Sequence, residues 1–316
     1  MINNRSIRQT FADTLLELAS KNPNLFVVDA DLHPSLKLER FAQKFPRRFI
    51  QAGVAEANAT GVAAGLSKAG KNVFLISYAC FSPAINWAVI RQSVCYNQAN
   101  IKIIGSHAGL LSGDLGASHQ MLEDIALTRS LPGLEVFAPA DAWETEKIVA
   151  ALAFSPKPAY LRLVRPDTPI FTSLTTPFTI GKSTVIKKGR DLTIVGYGPI
   201  LSLALQAQAR LMLLNQPVSL EVINTASLKP FDFATIKRSL IKTRRLLVLE
   251  DHQSQGGLGE LLAYYLQLSQ LQVKFSHLAV KDRFGQSDPN PWHLYDHYGL
   301  GLDSILKTIR QLTTNT

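Results

Sequence analysis

Apolar residues recur along this chain in two rhythms that take turns. Ile7, Phe11, Leu15, Leu16 and Leu18 fall at helical spacing and predict a helix over 6–20, which Asn22-Pro23-Asn24 ends. A compact apolar run, Leu25 to Val28, then predicts a strand closing on Asp29-Ala30-Asp31. Similar runs return at Val73–Ile76, Ile101–Ile104, Glu135–Phe137 and Ala159–Leu163. Helix-length segments at 55–69, 82–96, 120–130 and 142–153 lie between them. Strands alternating with helices argue for a mainly parallel sheet covered on both faces. From Arg165 to Arg190 the rhythm stops among Pro166, Pro169, Pro177, Gly181 and Gly189, which predicts an irregular connection. The alternation resumes with strands predicted at Leu192–Val195, Val218–Ile223, Leu246–Leu249 and Val273–His277, and helices at 199–214, 232–240, 257–268 and 302–313. The fold class is therefore α/β, as two consecutive domains over 1–165 and 191–316 joined by 166–190.

Composition changes this picture little. The 316 residues are long enough for two cores, and 46% hydrophobic with 18% charged residues is ordinary for a globular protein. No run reaches the roughly 18 apolar residues of a membrane span, and Met1–Ser6 has no signal-peptide core, so a cytoplasmic protein without membrane contact is expected. Cys80 and Cys95 sit in apolar surroundings and read as reduced core thiols. The net charge of +9 is dispersed in small groups such as Arg47-Arg48 and Arg244-Arg245, without a basic stripe. It fits attraction of anionic small molecules better than nucleic-acid binding.

Four stretches carry candidate chemistry. In Phe49-Ile50-Gln51-Ala52-Gly53-Val54-Ala55-Glu56 a short strand meets Gly53, and Glu56 opens a helix rich in small residues. That acid is either a favourable charge at a helix N-terminus or a poorly solvated carboxyl whose proton is used. The Gly/Ser-rich loop from Gly105 to Gln120 holds His107, Asp114 and His119 where open α/β sheets bind ligands. The histidine spacing fits no common zinc pattern, whereas proton transfer or hydrogen bonding to a polar substrate suits imidazole. Tyr78 and Phe81, with Trp87 beyond them, either pack in the core or stack on a flat ring. Gly256-Gly257-Leu258-Gly259 reads as a phosphate-binding turn or as a tight turn at a subunit contact.

Taken in order, several segments resemble the C-terminal half of the transketolases, which use thiamine diphosphate. They are Phe49–Asn58, Ser106–Gly109, Gly116–Ala126, Pro139-Ala140-Asp141, Lys229-Pro230-Phe231, Glu250-Asp251-His252 with Gly256–Gly259, and Asp282-Arg283-Phe284-Gly285. The resemblance implies a pyrimidine-binding domain followed by the family's C-terminal domain. It implies that Glu56 hydrogen-bonds the cofactor's aminopyrimidine and promotes the tautomer that activates the thiazolium carbon. It also implies that Tyr78 and Phe81 stack on that ring, that His107 and His119 contact substrate oxygens, and that Arg8 and Arg165 grip an acceptor phosphate.

Two departures stand out. Gly113-Asp114-Leu115-Gly116 occupies the place of Gly-Glu-Asp-Gly, so a sugar-reading aspartate is replaced by Leu115, and Ile85 stands where related half-length chains carry arginine. Both make the pocket less polar and favour a less hydroxylated donor such as pyruvate, or a modified acceptor. The family's Gly-Asp-Gly…Asn motif for magnesium and diphosphate is absent from the sequence. The resemblance therefore implies a split enzyme whose N-terminal-half subunit holds the diphosphate and Mg2+ (or Ca2+), assembled as an α2β2 heterotetramer. The expected reaction is transfer of a two-carbon ketol or acetyl unit to a sugar acceptor. A deoxyxylulose-phosphate synthase-like enzyme, a 2-oxo acid dehydrogenase β subunit and a non-catalytic scaffold subunit are the alternatives.

Overall fold

The computed structural model describes residues 3–215 and 218–314; the outermost residues of both expected domains lie outside these, as do 216 and 217. The strands of the first half are β1 (Asn4–Ser6), β2 (Leu25–Asp29), β3 (Phe49–Gln51), β4 (Asn72–Tyr78), β5 (Ile101–Ser106), β6 (Glu135–Phe137) and β7 (Ala159–Arg162). Then follow β8 (Asp167–Pro169), β9 (Thr184–Lys187), β10 (Leu192–Gly196), β11 (Leu220–Asn224), β12 (Ser227–Lys229), β13 (Arg245–Gln253) and β14 (Lys274–Val280).

Two sheets dominate. The first has the order β12-β6-β7-β5-β4-β2-β3, parallel throughout except for β12. The second has the order β14-β13-β10-β11-β9, parallel except for β9. β4 is buried up to its last residue, as expected of a central strand with helices on both faces. The helix Ile7–Lys21 starts at Ser6, whose hydroxyl accepts the Gln9 N–H, and buries Phe11 and Leu15. One buried cluster joins Phe11 and Phe74 of the first half to Ile194, Leu247 and Leu306 of the second.

Three features differ from the sequence expectations. The connection 166–190 is structured: β8 pairs antiparallel with β1, and β9 forms an edge of the second sheet. It is also pinned by Asp141, whose carboxylate accepts the N–H groups of Phe171 and Thr172. β12, from the second half, completes the first sheet beside β6, so the halves share a sheet. The segment expected as a helix over 82–96 turns helical only at Trp87 and is wound as a π-helix over Ile90–Tyr96, and the helix expected over 120–130 is Asp124–Arg129.

In the first sheet the chain passes from β2 to β3 on one side, then crosses over to β4 on the other. That reversal opens a crevice at the carboxyl ends of β2 and β4, where open α/β sheets place their ligands.

Candidate active site

The turn after β3 is set by Gly53, at φ +72, a conformation side chains rarely adopt, while Gln51 accepts the Gly53 N–H through its side-chain oxygen. The helix Glu56–Lys68 then begins with Glu56 in its first turn. Glu56 is buried, at 8% exposure. Among the described residues its carboxylate has one hydrogen bond, a 3.4 Å contact from the Ser77 hydroxyl, so acceptor capacity remains. Asn86 fixes the same turn by donating to the Glu56 carbonyl and to the Thr60 hydroxyl.

β4 delivers Tyr78 at its end, and Phe81 follows within a turn, the two rings stacked 6.0 Å apart at 16°. β5 delivers His107, whose ring centre lies 3.9 Å from that of Tyr78. His119 comes back from the loop to meet Phe81 edge-on at 5.5 Å and Tyr78 at 6.1 Å. Four residues that the sequence nominates thus form one aromatic group. The Tyr78 hydroxyl donates to Ser35 at 2.7 Å, and Arg8 donates to the carbonyls of Ser35 and Arg165. Arg165 in turn donates to the Ser112 carbonyl and pairs with Asp114. Ser35 is a residue that sequence reasoning misses, because a lone serine in a loop after β2 has no spacing that marks it.

Electrostatics fix the protonation of His107. Burial, then the charges of Arg8 and Arg165 and the neighbouring His119, lower its pKa to about 3. The ring is neutral near pH 7, with its Nδ1 2.9 Å from the Ser106 hydroxyl. Burial also lowers the pKa of Arg8, with Arg165 adding to the effect, and it pushes the Cys80 thiol up to about 11, so Cys80 is no thiolate nucleophile. Leu115 is half-buried in the loop, whereas Ile85 is 68% exposed and Trp87 donates its indole N–H to the Leu127 carbonyl.

The second half supplies no phosphate cradle at Gly256–Gly259. The amides that open helix Leu258–Leu268 already donate to the buried Glu250 carboxylate, from Leu258 at 2.8 Å and Gly259 at 2.9 Å. His277 and Tyr197 fill the rest of that carboxylate's shell. The phosphate reading of this turn is thereby corrected: an internal anion occupies it.

Comparison with known proteins accounts for this arrangement. The family description "Transketolase, pyrimidine binding domain" matches residues 3–170, and "Transketolase, C-terminal domain" matches residues 181–305. The chain belongs to the transketolase family. It is 35% identical over 310 residues to one of the subunits of the apulose-4-phosphate transketolase of Phocaeicola vulgatus, covering 98% of each chain. It is 33% identical over 307 residues to a 6-deoxy-6-sulfo-D-fructose transketolase subunit of a Clostridium species, covering 97% of this chain and 94% of the relative. A solved structure described as a split gene transketolase, inactive beta4 tetramer, superposes with a TM-score of 0.88 at 37% identity, over 98% of this chain and 99% of the other. The chain is thus a subunit of a split transketolase-like enzyme, a thiamine-dependent transferase that works with a partner subunit.

The transketolase cofactor, thiamine diphosphate, can be tested against these side chains. A buried carboxylate with spare acceptor capacity beside a stacked aromatic pair suits an aminopyrimidine ring. For the diphosphate and its metal, no group of three His, Cys, Asp or Glu suited to hold an ion occurs among the described residues. No helix among them is long and apolar enough to cross a membrane.

Proposed function

We propose that this chain is the pyrimidine-side subunit of a cytoplasmic α2β2 transketolase. It moves a two-carbon unit onto an aldehyde or ketone acceptor that carries an anionic group. The N-terminal-half partner supplies the diphosphate and Mg2+ (or Ca2+) site, a reading supported by the motif missing from this sequence. Bound at the interface, thiamine diphosphate would supply a nucleophilic carbon and an electron sink. Glu56 accepts a hydrogen bond from the pyrimidine end and sets its tautomer. Tyr78 and Phe81 pack on the ring and exclude water from it. His107, neutral and held by Ser106, offers hydrogen bonds to substrate oxygens without adding charge. His119, at the edge of the same aromatic group, moves protons to and from the acceptor oxygen. Arg8 and Arg165 attract the anionic end of the acceptor, with Ser35 between Tyr78 and Arg8. Asp114 holds Arg165 until that anion arrives. The names of two relatives contain a phosphate and a sulfo group, in keeping with an anionic substrate.

The observation that carries this reading is the buried, under-bonded Glu56 beside the Tyr78–Phe81 stack. Its test is Glu56→Gln in the assembled complex. Turnover should fall by roughly 10²-fold or more, because a neutral amide no longer favours the required tautomer. An unchanged rate would remove Glu56 from the chemistry and return the scaffold reading.

Leu115 favours a second, narrower reading, in which the donor is less hydroxylated than a phosphorylated ketose, pyruvate being the simplest. Leu115→Asp should then raise turnover of ketose donors relative to pyruvate. No gain for ketoses would count against a donor role for this position.

A further inference from the structure

The loop Gly109–Gln120 carries Asp114, Leu115 and His119 and supplies the Ser112 carbonyl to Arg165, yet it belongs to no sheet. Its outer side is met by the second half of the chain. At its start, the Leu110 N–H donates to the Asp251 carboxylate at 3.0 Å. The other carboxylate oxygen of Asp251 accepts the Tyr295 hydroxyl at 3.2 Å. The Asp251 carbonyl accepts the Arg162 guanidinium at 2.7 Å, and that guanidinium is paired with Asp124. Asp251 is 3% exposed and Tyr295 1%. Gly109, at φ +75, leaves the room Asp251 needs, since a Cβ there would lie 2.2 Å from its carboxylate oxygen. At the far end, Gln120 donates to the carbonyls of Gly113 at 3.0 Å and of Gln286 at 2.9 Å.

We propose that Asp251 is a positioning residue for the substrate loop, and that through it the C-terminal half of the chain sets the geometry of acceptor binding. The carboxylate fixes the first turn of the loop, and the rest of the loop is templated on the segment after β14. A free loop would let Asp114 and the Ser112 carbonyl wander, and Arg165 with them. Small displacements of binding groups are costly, on the order of 10²-fold in rate for about 1 Å. Burial raises the Asp251 carboxyl above its ordinary pKa despite Arg162, the Leu110 N–H and Tyr295. Asparagine matches its shape and keeps one oxygen for the Leu110 N–H, so it is the close replacement on geometric grounds. The kinetic part of this proposal rests on the site assignment above; the conformational part rests on the contacts alone.

The test compares Asp251→Ala, Asp251→Asn and Tyr295→Phe in the full-length chain. Amide hydrogen exchange is read over 107–120 and over the strands β4 and β10. In Asp251→Ala, exchange in the loop should rise roughly tenfold while both strands keep their protection. Asp251→Asn retains an oxygen for the Leu110 N–H and should restore most of that protection. In the complex with the partner chain, with D-glyceraldehyde 3-phosphate as the acceptor probe, Asp251→Ala should raise the acceptor KM roughly tenfold. Thiamine diphosphate affinity should stay within about twofold. Loop exchange unchanged in Asp251→Ala, or protection lost equally in loop and strands, overturns the proposal. So does a loss of cofactor affinity equal to the rise in KM. If Asp251→Ala does not fold, Tyr295→Phe decides: a rise confined to 107–120 supports the proposal and an unchanged loop overturns it. Absence of turnover in the wild-type complex would overturn the site assignment, while the exchange result would still judge the loop.

Discussion

At the scale of the residue, the candidate site keeps one imidazole uncharged among cations. His107 gains nothing from protonation, because burial and two arginines oppose it. The consequence for stability has a definite sign. The pKa is about 3 when folded and about 6.5 when unfolded, so the unfolded chain binds the extra proton between these values. The contribution of His107 is therefore full above about pH 6.5 and is lost as pH falls, by roughly 2 kcal/mol at about pH 5. His107→Gln should flatten this part of the stability profile in chemical denaturation between about pH 5 and 7. The same substitution should raise the acceptor KM more than it lowers kcat, since the ring binds without acting as an acid. A histidine resonance that titrates near its ordinary value would refute the assignment of His107 as permanently neutral.

At the scale of the element, one junction between the halves is built on a buried carboxyl. Glu144, in the helix Ala142–Phe154, faces Asn224 at the end of β11, whose amide nitrogen lies 2.8 Å and 2.9 Å from its two oxygens. Burial, with Asp141 nearby, raises the Glu144 pKa to about 7 against the Ala140 N–H, Asn224 and Lys147. The Asn224 side-chain oxygen is buried without a partner, and turning the amide over would let it accept a protonated Glu144. Here the folded pKa is the higher one. Glu144 stabilises the fold fully below about pH 4.5 and loses that contribution as pH rises through about 7, a loss of about 3 kcal/mol at most. Glu144→Gln should remove this slope, and a melting series from about pH 5 to 8 in both proteins would show it. The same junction shows what the sequence could and could not disclose. Long periodic segments such as 142–153 and compact runs such as Leu192–Val195 were legible because packing demands their rhythm. β8, β9 and β12 were not, being three or four residues long and held by partners far away in the chain. The aromatic pair Tyr78 and Phe81 was nominated by resemblance, but the pairing of Asp114 with Arg165 and the contacts of Ser35 with Tyr78 and Arg8 needed the fold to bring distant loops together.

At the scale of the whole molecule, the helix that opens with Glu56 has two unlike faces. One face buries Ala59, Thr60 and Ala63 against this chain's own sheet. The other shows Ala57, Gly61 and Gly65 to open space, with Val54, just ahead of the helix, at 78% exposure. A Cβ added at Gly61 or Gly65 would meet nothing within 4 Å. Glycine inside a helix costs about 0.5–1 kcal/mol relative to alanine, so these positions weaken the isolated chain with no return inside it. A close-packed partner helix would explain them, since small residues let backbones approach where larger side chains hold them apart. The prediction separates folding from assembly. Gly61→Leu should leave the melting temperature of this chain unchanged or higher. Mixed with its partner chain, the variant should assemble at least about tenfold more weakly, because an overpacked interface loses its fit. Thiamine diphosphate binding, measured by calorimetry in the mixture, should fall in step, since the cofactor's ring end and diphosphate end would then come from chains that no longer meet. Gly61→Ala, which adds a single methyl group, should lose much less. Full assembly by Gly61→Leu would place the partner on another face and leave the glycines unexplained.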